Sequence, residues 1–523
     1  MPMAKHHQSS RELLVEPFGQ SDCESELETL QERYSEFYFE HSPFNEAALN
    51  DKVYLIVGRR GSGKTALSEY FSFQKRISNP VCIEIHEPSV YQEVLAALAS
   101  RAPESRVVAV PALASVWEFV IWSTIFHALQ KEHIDVELEC EVPETRLGRV
   151  SDVVKTFFEH LTNVFRAGHG DAVSDDFTDL YDPGKLRANI QKVLEFAASR
   201  QVIVAMDTLE KYDIRDEPLM TAMASLVQYA ATFNLRYSHR GVHLKLFLSG
   251  EVFPHLKETV LLNPLKTVRH PLYLLWRPKE LLSLITWRFC RYLMASSEVY
   301  HTRFADVRWG RHKEVFDRLW RPFFGNTIEN RRGKKERTFV YVLRHTQMRP
   351  RQLIYICNEI ANDAIRRGDF PTFSADTIRD SVKAAEAELA NEILNSYELT
   401  YPSVARIVNA LLGMPMVFEG SELDKRAKDT RGEWPDGTYS LANFRQLVAE
   451  LGIVGRVKAR NDAAGFIDAE FEYSTMERLS ISPRDECAIH PMFYTKLNVK
   501  LDQDVRVMPF SVERGELEEL QEI

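Results

Sequence analysis

Apolar and polar positions change period along the chain, and the change divides it. In the first half, short apolar or β-prone runs recur at Val53–Val57, Pro80–Ile85, Val202–Asp207, His243–Ser249 and Thr267–Leu275. Between them lie stretches with helical spacing, near 63–73, 90–100, 112–131, 185–199 and 218–232. Strands alternating with helices predict a parallel α/β sheet. Residues 112–131 are apolar nearly all round, which predicts a buried helix. Residues 24–40, rich in aromatics, predict a helix packing on this first domain.

From 277 the period is helical: 278–294, 339–346, 350–367 and 374–397 predict a helical lid domain. Residues 300–337 read as basic and irregular. Beyond 399 come a helix at 404–412 and a polar loop at 419–437. A helix at Leu441–Leu451, N-capped by Ser440, follows. A two-strand ribbon comes next, Gly452–Val457 with Phe466–Tyr473. Helices followed by a ribbon predict a winged-helix-like domain. The expected organisation is a flexible segment 1–22, an α/β core 23–276 with an insertion at 135–185, a lid 277–398, a winged-helix-like domain 399–510 and an acidic tail 511–523.

Composition narrows the class. Apolar residues make up 45% and charged residues 27% of 523 residues, ordinary values for a globular protein. A net charge of −10 argues against a nucleic-acid coat protein while leaving room for a local basic patch. The six cysteines are scattered, with no CxxC pair, which points to a reducing cytoplasm and not to a disulfide or zinc scaffold. No apolar run suits a membrane span, and the N-terminus lacks a secretory apolar core.

The chemistry concentrates in Gly58, Arg59, Arg60, Gly61, Ser62, Gly63, Lys64 and Thr65, which fit G-x-x-x-x-G-K-[ST] at each fixed position. Glycines let the backbone turn its N–H groups onto phosphate oxygens, and the helix that follows points its positive end at the same anion. Lys64 reaches the β- and γ-phosphates, and Thr65 offers its hydroxyl to Mg²⁺. Asp207, closing an apolar strand, is the expected Mg²⁺ carboxylate. Glu210 is the first candidate to polarise the attacking water and Asp213 a further one. Many such ATPases carry a glutamate directly after the aspartate. Here Thr208 stands there, so either hydrolysis is slow or Glu210 acts one turn later. Ser249, at the end of its strand, is placed to touch the γ-phosphate or to be a plain strand end. Arg351, then Arg349, beside Pro350 at a helix start, are candidates to meet the γ-phosphate from the lid, against ordinary surface ion pairs. Arg240, Arg269 and Arg277 are weaker candidates for an arginine acting on a neighbouring subunit. The basic run 331–337 and the C-terminal domain are the candidate contacts to nucleic acid. The alternative is a solvated loop and a protein-docking module, because the helix at 441–451 has Arg445 as its single basic residue. His490 reads as a core or turn residue.

In order, YLIVGRRGSGKTAL, VIVAMDTLE, KLFLSGEVF and MRPRQLIYI resemble the P-loop ATPases of the AAA+/STAND kind. They are especially similar to the bacterial ATPases described as the Sll-type P-loop ATPase family. Origin-recognition ATPases share the plan of nucleotide domain, helical lid and winged helix. The resemblance covers roughly residues 30–400. It implies ATP and Mg²⁺ held by Gly58 to Thr65 and Asp207, with Arg351 as sensor 2; Ala66 is a further candidate contact of the loop, and Ser249, if it touches the γ-phosphate, takes the role called sensor 1. It also implies an ATPase switch that controls assembly, either with further copies of itself or with an effector protein, in antiviral defence. The alternative is a DNA-binding ATPase resembling origin-recognition or transposition loaders. A third reading is a scaffold that holds nucleotide without turning it over.

Overall fold

The structure is a computed structural model describing residues 16–85, 106–131, 134, 136, 138, 183–209, 216–261, 264–331, 333–398, 400–435, 437–461, 465–475, 477–502 and 505–510. The expected helices at 90–100 and near 150–165, almost all of the 135–185 insertion and the acidic tail lie outside these residues. The chain divides into two compact units: a sheet unit, Phe44–Arg60 with Lys64–Leu274, and a helical unit, Met1–Pro43, Gly61–Gly63 and Leu275–Ile523.

The sheet unit is built on β1 (Leu55–Gly58), β2 (Val81–Ile85), β3 (Val202–Leu209), β4 (Val242–Ser249) and β5 (Leu272–Tyr273). Their order is β2-β3-β4-β1-β5, and every pairing is parallel. Both β1 and β4 are buried at every position, as expected of parallel strands covered on both faces. Helices α1 (Lys64–Phe73), α2 (Arg106–Lys131), α3 (Pro183–Ala197) and α4 (Glu217–Tyr237) supply the cover. One face packs Leu55, Val57, Val204, Leu244 and Leu246 with Trp117 and Trp122 of α2 and Phe233 of α4. On the other, Phe71 of α1 meets Phe247 of β4 with ring centroids 6.2 Å apart. Helix α2 starts earlier than the apolar pattern suggested. Of the predicted β-prone piece 267–275, only β5 is strand.

In the helical unit, α5 (Pro278–Ser296), α6 (Pro350–Arg367) and α7 (Ala375–Ser396) share one core. Residues 24–40 do not form one helix on the sheet unit. They break into Cys23–Leu30, a tight turn Gln31–Arg33 and Tyr34–Phe37, and they belong to the helical unit. The reason is local. Phe18, fully buried, stacks on Phe289 at 4.7 Å, and Glu26 accepts two 2.7 Å bonds from Arg288 of α5. The region 300–337 is not irregular either. It holds short helical turns from Glu298 to Phe324 and a hairpin of β6 (Thr327–Glu329) and β7 (Lys335–Arg337).

The C-terminal part carries β8 (Val417–Glu419), helix α8 (Leu441–Glu450), β9 (Val454–Asn461), β10 (Phe466–Glu470), β11 (Glu486–Ile489) and β12 (Arg506–Met508). Ser440 caps α8 by accepting from Asn443 N at 2.9 Å. The expected ribbon exists as the antiparallel pair β9–β10, set within a five-stranded sheet of order β12-β10-β9-β11-β8. The polar stretch 419–437, expected as loop, contains the helix Ser421–Ala427. Among the described residues no helix is long and apolar enough to cross a membrane.

Candidate functional site

The loop after β1 turns on Gly61 and Gly63, with φ of +77° and +96°, a region that disfavours residues with a Cβ. A Cβ on Gly61 would lie 2.9 Å from Cβ of Arg351, whereas nothing lies within 4 Å of one on Gly63. Helix α1 begins at Lys64, so its first-turn N–H groups and positive end sit at the loop. Lys64 is 3% exposed and its Nζ donates to Gly58 O at 3.0 Å and Arg59 O at 3.5 Å. Thr65 and Ala66 are half-buried in the first turn. The Ser62 hydroxyl is buried with no hydrogen-bond partner.

Asp207 lies in register with Phe247 of β4, which lies in register with Ile56 of β1. Paired positions of parallel strands share a face, so Asp207 is on the face that α1 covers. Two strand spacings, about 10 Å, separate its row from β1. It is half-buried. The strand does not stop there: it runs to Leu209 through an irregularity between Asp207 and Leu209, a device that re-aims side chains near a sheet rim. Glu210 and Asp213 lie outside the described residues.

Ser249 is paired with Gly58 across β4 and β1. Its hydroxyl donates to Glu251 Oε2 at 2.6 Å, and the other carboxylate oxygen of Glu251 accepts from the N–H of Arg60 at 3.1 Å. Between them, Gly250 N donates to Gly58 O at 3.0 Å. Sequence reasoning did not single out Glu251. Its only local signal was a carboxylate two residues past a strand end.

In the helical unit, the N–H of Arg351 donates to Gly61 O at 3.3 Å, so the start of α6 touches the tip of the loop. The Arg351 side chain donates to Ser21 O at 3.2 Å and lies 3.5 Å from Glu392. Arg349 is buried and donates to Gln347 at 2.8 Å, at the core of this unit. Of the other arginines, Arg240 bonds Gln191, Arg269 is exposed, and Arg277 stands at the start of α5.

The basic candidates are largely engaged within the chain. Arg331 pairs with buried Glu386 at 3.0 Å. Buried Glu336 accepts from Arg344 at 3.1 Å and Asn330 at 2.8 Å, and the Arg344 guanidinium beside it holds its carboxyl below the usual range against the upward push of burial. Arg445 of α8 bonds Asp424 and, at 3.0 Å, Ile481 O. Arg456 and Lys458 of β9 share Glu470, and Arg460 takes Glu486. His490 is a turn residue in the core: its Nδ1 accepts from Met492 N, and its Nε2 lies 2.7 Å from Tyr473 Oη. Lys245 also has a structural setting. Its Nζ donates to Asn50 O and Val53 O ahead of β1, and burial pushes it down to about 7.

The loop's residues fit a polyphosphate: a buried cation, an unsatisfied buried hydroxyl, and glycine at the turn positions. A carboxylate such as Asp207 suits Mg²⁺, which takes few protein ligands and completes its shell with phosphate and water. Among the described residues no cluster of three or more His, Cys, Asp or Glu could form an all-protein metal site.

Residues 303–396 match the family described as the FunZ-associated C-terminal helical domain, a match that ends with the last residue of α7 and spans under a fifth of the chain. The chain is also similar to the Aeropyrum pernix ORC2 protein in its ADPNP–ADP complexes, at 13% identity and a TM-score of 0.34, over 87% of this chain and 93% of that one. The ADP form of the same protein gives 13%, 0.29, 88% and 94%. Among curated proteins, none matches. By its parallel sheet and the loop at the exit of β1, this is an α/β protein of the P-loop NTPase fold, followed by a C-terminal helical domain.

Proposed function

We propose that the chain is a nucleotide-operated switch that binds ATP with Mg²⁺ at Gly58–Ala66 and hydrolyses it slowly. The observation that carries this reading is the pairing, on one sheet, of a phosphate-type loop holding buried Lys64 with Asp207 on the face α1 covers. In this role the loop amides and Lys64 hold the phosphates, while Thr65 and Asp207 hold the metal. The bound metal supplies charge neutralisation at the phosphates. Thr208 takes the place of the usual water-polarising glutamate, which supports slow turnover. Arg351, at the start of α6, takes the role of sensor 2, the arginine that answers to the γ-phosphate. The output is a change in self-assembly or in binding of an effector protein, in the reset-by-hydrolysis manner of such switches. The proposed setting, antiviral defence, rests on the sequence resemblance alone.

The test is Lys64→Ala in the full chain. A fluorescent ATP analogue and light scattering report affinity and assembly. We expect at least about a tenfold loss of affinity, about 1.4 kcal/mol, and loss of any nucleotide-dependent change in mass. Wild-type values for both would refute the switch.

The DNA-binding alternative has less support, because Arg331, Arg445, Arg456, Lys458 and Arg460 each pair with an acid. Exposed Lys334 and Lys335 favour it. Absence of duplex binding at low salt removes it; binding that falls steeply with salt and with neutralisation of those lysines revives it.

A further inference from the structure

We infer that Glu251 restrains the preference of the site for a triphosphate over a diphosphate, by competing with the terminal phosphate for the same donors. This rests on the nucleotide reading above and adds to it a residue and a specificity.

Glu251 is half-buried and uses its two carboxylate oxygens on different partners. Oε1 takes the Arg60 N–H at 3.1 Å, and Oε2 takes the Ser249 hydroxyl at 2.6 Å. Both donors lie at one place. Ser249 is in register with Gly58, and Lys64 Nζ rests on the carbonyls of Gly58 and Arg59, one residue before Arg60. The lysine of such a loop reaches the β- and γ-phosphates, so this is the terminal-phosphate end of the cradle. The segment cannot drift away from the loop. Gly250 N is tied to Gly58 O at 3.0 Å, and a Cβ on Gly250 would come within 3.0 Å of Arg59 N.

The Ser249 hydroxyl has one proton, and Glu251 holds it. A serine so engaged cannot donate to a phosphate oxygen. A carboxylate and a γ-phosphate are both anions and both acceptors, so they repel and compete for one N–H and one O–H. A diphosphate ends short of these donors and leaves Glu251 in place. A triphosphate must displace the carboxylate, which then releases Ser249. Ser249 thus acts on the phosphate only when Glu251 has moved, and Glu251 is a positioning residue.

The experiment compares full-length wild type, Glu251→Gln, Glu251→Asp and Ser249→Ala for binding of a labelled non-hydrolysable ATP analogue and labelled ADP. Gln keeps the shape, removes the charge and adds a donor. Expected is tightening of the triphosphate analogue by about fivefold or more in Glu251→Gln, with ADP changed less than about twofold. Glu251→Asp keeps the charge and should stay near the wild-type ratio. Ser249→Ala should weaken the triphosphate analogue selectively. An unchanged triphosphate-to-diphosphate ratio in Glu251→Gln overturns the inference while the nucleotide reading stands. Equal losses of both ligands in Ser249→Ala also overturn it, and this arm remains decisive if Glu251→Gln does not fold. A wild-type chain that binds neither nucleotide overturns both readings.

Discussion

Gly250→Ala tests how closely the end of β4 sets the phosphate loop. A Cβ at 250 would lie 2.9 Å from Arg59 Cγ, 3.0 Å from Arg59 N and 3.3 Å from Gly58 C. The side-chain atom can swing aside; the two backbone atoms cannot. Ordinary spacing requires the loop to retreat by about 0.5 Å. The same shift stretches the 3.0 Å bond from Gly250 N to Gly58 O. Overpacking of this kind costs about 1–3 kcal/mol. If the low end of that range falls on the loop geometry, nucleotide binding weakens about five- to tenfold. Melting temperature should fall by only a few degrees. Titration of a fluorescent ATP analogue and a thermal scan measure the two effects. Gly432→Ala is the control, since a Cβ there meets nothing within 4 Å. Binding within twofold of wild type for Gly250→Ala, or an equal loss for Gly432→Ala, would refute the reasoning.

We predict further that Glu336→Gln destabilises the chain by about 3 kcal/mol, because it leaves the charge of buried Arg344 uncompensated; an unchanged urea midpoint would count against it. Phe18→Ala should cost about 3–5 kcal/mol by emptying a fully buried site against Phe289, Phe324 and Phe373. A loss below 1 kcal/mol would mean the cluster closes over the gap. Burial holds His243 and His345 at about 4, so both fold neutral. Unfolded histidine takes a proton near pH 6.5. Stability is therefore full above 6.5 and falls as pH drops toward 4, by up to one proton per histidine. Glu336 and Glu386, whose folded values are lowered, add to the loss at still lower pH. Around His345 lie Arg344, Arg331 and Glu386, so His345→Gln should flatten the upper part of this slope; a stability curve indifferent to pH between 6.5 and 5 would contradict it.

The phosphate loop and its strands were legible because their signals are local. A glycine octet fixes a turn, and an uninterrupted apolar run such as Val202–Met206 suits a strand buried on both faces. Helix α6 was legible from Pro350 to Arg367 because it has Pro at its start and Gly368 at its end. Glu251 was not, since its bond to the Arg60 amide spans 191 residues of sequence. The region 300–337 misled through its basic residues, although Phe316, Leu319, Trp320, Phe323 and Phe324 fall at helical spacing and are all buried. Periodicity there outweighed charge. The residues 24–40 carried a helical pattern, but no property of those residues alone said that Arg288 would take Glu26.

The burial of Phe18 bears on how the chain is made. Its N–H donates to Asn358 Oδ1 across 340 residues, and its ring neighbours are Phe289, Phe324 and Phe373. During synthesis Phe18 therefore waits, with its aromatic ring unburied, until the ribosome has released a stretch more than 300 residues downstream. At about 5–20 residues per second that wait lasts tens of seconds. The segment around Phe18 is thus made long before it can find its place, and a bulky insertion beside Phe18 would weigh most on this late step.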